Sequence, residues 1–123
     1  MQPQIILLSK KISPSLLSDL TAEIFNSFVK IVVDVDRKML AVGGEMHADA
    51  EQLLLENGSK QSNLWGANFY PFEPVELRVE YTSFINIRPR DGNTSMMVED
   101  EATRAQIKSL CSELLLGDDD DLA

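Results

Sequence analysis

The chain has 123 residues, of which 44% are hydrophobic and 25% charged, a composition typical of a globular domain and not of a disordered one. Twenty acidic residues against eleven basic ones give a formal net charge of −9 at pH 7. We therefore expect no nonspecific binding to nucleic acid or to an anionic membrane surface. The sequence shows neither a membrane-spanning apolar run nor a signal peptide, which predicts a cytoplasmic protein.

The first half of the chain alternates helix and strand signals. Residues 4–8 are apolar and form either an edge strand or a cover over the core. Ser13-Pro14 is typical of a helix start, and apolar residues at spacings of three and four predict a helix over 14–27. A period of two over 29–35 predicts a strand, and residues 39–42 return as the second strand of a hairpin.

The second half begins with a helix predicted over 47–56, after Gly43-Gly44 and before the helix stop Asn57-Gly58. Further strands are predicted over 64–70, 77–88 and 95–99. Asp100 caps a final helix over about 101–116, on which Cys111 is expected to be a small buried residue. Because one cysteine forms no internal disulfide, nothing requires an oxidising compartment.

These signals give the order α-β-β-α-β-β-β-α, which predicts one α+β domain over residues 1–117. We expect a mostly antiparallel sheet with the helices packed on one face. Residues 118–123 follow as an acidic tail that is expected to stay solvated and flexible.

Two stretches of the sequence resemble a small bacterial family of uncharacterised proteins, classed as a domain of unknown function. They are VVDVDRKMLAVGGEMHADAEQLLLENGSKQSNLWGANFYP and VEYTSFINIRPRDGN, with GGEMHADAE and NLWGANFYP as their most specific segments. The resemblance implies a single-domain bacterial cytoplasmic protein. It implies no activity, substrate, cofactor or catalytic residue.

The junction between the second strand and the second helix holds the only histidine of the chain among acidic residues. Imidazole and carboxylates are common ligands of divalent metals, so Glu45, His47 and Glu51 are candidate metal ligands. His47 and Asp49 are candidates for proton transfer. The competing interpretation is structural, because acidic side chains near a helix start stabilise the positive end of its dipole.

A second group of candidates lies on the predicted third and fourth strands. An exposed Trp65 would indicate a ligand or partner surface, whereas a buried Trp65 is an ordinary core residue. The candidate binding patch comprises Trp65, Asn68, Tyr70, Asn86 and Arg88.

Two functional hypotheses follow from these patterns. The favoured one is a non-catalytic module that binds a protein or a small ligand, with self-association through a strand edge or an aromatic patch as one form. The alternative is a metal-dependent enzyme, hydrolytic in type, that uses the Glu/His/Asp cluster at the strand–helix junction and a divalent metal.

Overall fold

One five-stranded sheet, with three α-helices against it, organises the chain in a computed structural model that describes residues 3–122. The strands are β1 (Ile5–Leu8), β2 (Val29–Asp34), β3 (Met39–Gly43), β4 (Leu64–Phe69) and β5 (Val79–Glu80). The helices are α1 (Pro14–Glu23), α2 (His47–Glu56) and α3 (Glu101–Leu114). All neighbouring strands are antiparallel, in the order β1-β3-β2-β4-β5.

The central strands are apolar on both of their faces. Ile31 pairs with Val42 on one face, while Val32 pairs with Ala41 on the other, and all four side chains are fully buried. A strand that is buried on both sides needs cover on both sides. This explains why Val32 interrupts the period of two in the sequence.

The helices therefore divide between the two faces of the sheet, which differs from the expected packing on one face. Leu17 of α1 and Ile107 of α3 join Ile31 and Val42 in the larger part of the core. Leu54 of α2 packs instead with the opposite face. The apolar second face of β2 and β3 would otherwise meet water, and burying it is favourable by about 25 cal/mol per Å².

The predicted α+β domain with an antiparallel sheet is confirmed, and its three helices and central hairpin follow one another as expected. Residues 5–8 form an edge strand, paired with β3. Ser13 caps α1 by accepting from the Leu16 N–H at 3.2 Å, and Asp100 caps α3 by accepting from the Thr103 N–H at 2.9 Å. Cys111 is buried as expected, and burial raises the pKa of its thiol to about 12.

Two strand predictions in the second half are wrong. Only Val79–Glu80 of the segment 77–88 is a strand, and a 3₁₀ turn follows at Phe84–Asn86. Residues 95–99 form no strand, and only an isolated bridge joins Thr82 to Met97. The physical reason is that Asn86 turns its side chain towards β4, which a regular strand could not do at this position.

The acidic segment after α3 contacts the domain through both its backbone and its side chains. The buried guanidinium of Arg78 donates to the carbonyl oxygens of Gly117 at 3.0 Å and Asp120 at 2.6 Å. Lys11 forms an ion pair of 2.8 Å with the Asp120 carboxylate, and Leu122 packs against the core. The flexibility of this segment in solution stays a prediction.

Candidate functional site

The junction between β3 and α2 is shaped by two glycines. Gly43 and Gly44 adopt φ values of 112° and 86°, which residues with a side chain rarely adopt. A β-carbon at Gly43 would collide with the backbone carbonyl of Gln4, so the close approach of β1 also requires glycine. The two glycines therefore allow the backbone conformation that connects β3 to the start of α2.

The acidic residues of this junction do not converge. Glu45 and Asp49 are exposed, whereas His47 and Glu51 are partly buried. Among residues 3–122, no three His, Cys, Asp or Glu side chains lie close enough together to hold a metal ion. One carboxylate oxygen of Glu51 is enclosed and has no hydrogen-bond partner. The metal-ligand and proton-transfer roles of these residues stay predictions.

His47 ties the start of α2 to β4. Its Nε2 lies 2.7 Å from the carbonyl oxygen of Ala67. Because a carbonyl only accepts, Nε2 carries the proton and donates it, which leaves Nδ1 as the acceptor of the neutral ring. Burial is the main cause that lowers the pKa of His47, and the charge of Lys30 lowers it further, against a smaller raising effect of the Ala67 bond. The imidazole is therefore neutral at pH 7.

The aromatic candidates on β4 have different environments. Trp65 is buried in the core shared with α1 and α3, so it does not form a surface. Tyr70 is partly buried, and its ring lies 5.1 Å from that of Phe28, centroid to centroid. The Asn68 amide donates to the Glu80 carboxylate at 2.8 Å, and the Tyr70 hydroxyl donates to it at 3.3 Å. Burial and the nearby charge of Glu80 raise the pKa of Tyr70.

Two side chains complete the outer edge of β4 where β5 ends. The strand β5 pairs with β4 only at Asn68 and Phe69. Beyond it, the side chain of Asn86 accepts from the Gly66 N–H at 2.8 Å and donates to the Gly66 carbonyl at 2.9 Å. Arg88 donates to the Leu64 carbonyl at 2.7 Å. Side-chain groups thus take the place of a neighbouring strand.

Asn93 holds the segment that delivers these two side chains. Its amide group lies 2.8–2.9 Å from the carbonyl oxygens of Asn86, Ser95 and Met97. The side-chain oxygen of Asn93 accepts from the Glu99 N–H at 2.9 Å. Asn93 could not be found from the sequence, because a buried asparagine has no periodic signal that separates it from a loop asparagine.

The other edge of the sheet, at β1, is open. Its four residues are apolar, and all except Leu8 are only partly buried. Within residues 3–122, Ile5–Leu8 form backbone hydrogen bonds with β3 and with no other element. An open edge presents unpaired N–H and C=O groups to any second strand.

Exposed apolar side chains occur away from this edge. Phe84 is 75% exposed, so it is available to a partner and suits a control experiment. The other large exposed apolar residues in the described range 3–122 are Met46, Phe72, Leu77, Ile87 and Met97.

The fold and these sites define a single α+β domain whose sheet has one closed and one open edge. The family described as "Protein of unknown function (DUF5674)" matches residues 6–114, and the chain therefore belongs to this family. No curated protein and no solved structure matches the chain. In the described range 3–122, no helix has both the length and the apolar character needed to cross a membrane.

Proposed function

We propose that this chain is an interaction module that pairs with a second copy of itself through the open edge of β1. The observation that carries the proposal is the contrast between the two edges of the sheet. Beyond the short β5, the outer edge of β4 is completed by Asn86 and Arg88, whereas Ile5–Leu8 carry no charge and no proline and have no covering element among residues 3–122. Proteins that avoid edge pairing usually place such blocking features on an exposed strand.

The charges around β1 favour an antiparallel arrangement of the two copies. Lys10 is exposed beyond one end of the strand. Glu23 lies at the other end, where its carboxylate accepts from the Gln4 N–H at 2.7 Å. Antiparallel pairing brings Lys10 of one copy near Glu23 of the second copy, whereas parallel pairing would bring like charges together.

Antiparallel pairing also keeps the two layers of the domain continuous. Ile6 and Leu8 pack on the α1 and α3 side of the sheet, and Ile5 and Leu7 pack on the α2 side. A two-fold axis perpendicular to the sheet keeps each face on its own side. The result is a ten-stranded sheet in which the apolar side chains of β1 lose water on both faces.

Sedimentation velocity over a range of concentrations tests the proposal. We expect the natural chain to reach twice the monomer mass as its concentration rises. The Leu7→Lys variant should stay monomeric, because the new charges of two copies would repel each other across the pair. Phe84→Lys is the matched control, since it removes an exposed apolar residue outside β1 and should leave dimerisation unchanged.

A charge exchange tests the direction of pairing. Lys10→Glu should weaken the dimer, and adding Glu23→Lys to that variant should restore it. A natural chain that stays monomeric at all concentrations would contradict the proposal. Loss of the dimer in Phe84→Lys but not in Leu7→Lys would place the interface on another surface.

A metal-dependent enzyme is the second candidate, and one observation favours it. The enclosed oxygen of Glu51 has no partner, and His47 lies one helical turn before it. A divalent cation bound by these two residues would supply the missing partner. Elemental analysis of untagged protein, beside His47→Ala, tests this candidate, and a protein without stoichiometric metal would contradict it.

A further inference from the structure

We propose that a surface cavity beside Arg88 binds the phosphate or carboxylate group of a small molecule. The cavity has a volume of about 440 Å³ and lies where the turn before β4 meets the segment that follows Asn86. This volume falls in the range of small-molecule sites. Its lining residues are Gln61, Ser62, Arg88, Pro89, Arg90 and Asp91.

Arg88 supplies the first reason, because its buried guanidinium lacks one acceptor. Its side chain is only 9% exposed. Nε donates to the Asp91 carboxylate at 3.0 Å, and Nη1 donates to the carbonyls of Leu64 at 2.7 Å and Ile85 at 3.2 Å. Nη2 is enclosed and has no acceptor. Leaving a buried charged donor unpaired is costly, and an oxyanion in the cavity supplies an acceptor once a small shift of the guanidinium exposes Nη2 to it.

The charge of the cavity supplies the second reason. Arg88 and Arg90 contribute two positive charges and Asp91 one negative charge, so the lining carries a formal charge of +1. The whole chain carries −9. A small anion is therefore attracted locally, since screening at physiological salt confines the effect of distant carboxylates to about 8 Å. An extended polyanion would also meet the negative charge of the rest of the chain, which favours a small ligand.

The rigidity of Arg88 supplies the third reason. Its guanidinium carbon lies 4.2 Å from the centre of the Trp65 ring, and its bond to Leu64 fixes it to the end of β4. An arginine that is already positioned loses little side-chain entropy when it binds an oxyanion. Gln61 and Ser62 add neutral hydrogen-bonding groups to the lining.

A titration with inorganic phosphate, followed by amide chemical shifts at constant ionic strength, tests this proposal. We expect saturable shifts confined to residues 61–64 and 88–92. Arg90→Gln should weaken phosphate binding about tenfold, because it removes one of two positive charges from the lining. Lys108→Gln is the matched control, since it removes the same charge from an exposed position on α3, outside this cavity.

Acetate at the same ionic strength distinguishes the two ligand classes. Saturable shifts with phosphate alone assign a phosphate site, and shifts with acetate alone assign a carboxylate site. The proposal is overturned if neither anion gives saturable shifts in these residues. It is also overturned if Arg90→Gln and Lys108→Gln weaken binding equally, because the effect would then be that of net charge.

Discussion

The two edges of the sheet are treated in opposite ways. At the outer edge of β4, the backbone groups of Gly66 and Leu64 bond to the side chains of Asn86 and Arg88. At β1, four uncharged residues leave their outer backbone groups without a protein partner in the described range. An edge therefore does not need a further strand to be closed, provided that buried polar side chains form the hydrogen bonds that a strand would form.

The largest loss of stability is expected for Asn86→Ala, which removes the side chain that closes the outer edge of β4. This change leaves the N–H and C=O of Gly66 and the C=O of Met96 without the amide that bonds them. A buried polar group without a partner costs about 1–3 kcal/mol, and some of the freed groups will regain water. We expect the free energy of unfolding, measured by urea denaturation, to fall by about 3 kcal/mol.

Gln52→Ala is the control for Asn86→Ala, because it removes an exposed amide from α2. It should change the free energy of unfolding by less than about 0.5 kcal/mol. If the two variants unfolded at the same urea concentration, the side chain of Asn86 would not close the edge.

A smaller loss is expected for Gly66→Ala, which tests how closely the covering segment approaches β4. A β-carbon at this position would lie 2.5 Å from that of Ser83 and 3.0 Å from a side-chain carbon of Ile85. Forcing an extra methyl group into a packed site costs about 1–3 kcal/mol. We expect thermal unfolding to show a loss of about 2 kcal/mol, part of which Ser83→Gly should recover in the double variant. No recovery would mean that the crowding lies elsewhere.

The contact of α2 with β4 should make the free energy of unfolding depend on pH through His47. The folded-state pKa of His47 is lowered, chiefly by burial. Between that value and the ordinary value near 6.5 the unfolded chain binds more protons, so stability falls as the pH falls through this range. In His47→Gln the free energy of unfolding should lack this pH dependence. The difference between the pH profiles of the natural chain and the variant therefore separates the contribution of His47 from that of the carboxylates.

Because the chain has a single histidine, its ring signals report the pKa directly in untagged protein. A midpoint at or above 6.5 would contradict the burial of the ring against Ala67. An unchanged pH profile in His47→Gln would show that the contact contributes nothing to stability.

The last test needs no substitution, because it compares the hydrogen exchange of backbone amides at the two edges in the natural chain. The Gly66 amide should exchange slowly because it donates to Asn86, whereas the outward amides of Ile5–Leu8 should exchange at least tenfold faster in dilute protein. Raising the concentration should slow the β1 amides alone if that edge pairs. Equal protection of both edges in dilute protein would remove the contrast on which the proposed function rests.

Local sequence patterns were sufficient to predict the helices and the central hairpin. Ser13 and Asp100 act as the predicted caps, and the period of two over β2 and the return at β3 are both present. These features depend on residues close together in the chain, so composition and spacing carry them. The functional sites were harder to predict, because a site forms where side chains that are distant in sequence come together in space.

Asn86 and Arg88 illustrate that difficulty. In the sequence they belong to the predicted strand over 77–88 and to the candidate binding patch. In the structure Asn86 is fully buried and Arg88 nearly so, since the backbone turns at Phe84–Asn86 to bring both side chains onto β4. The class of the domain, its helices and its hairpin could be predicted from the sequence, because short-range periodicity encodes them. Which edge is closed and which is open could not be predicted in this way, because it depends on side chains that meet β4 from about twenty residues away along the chain.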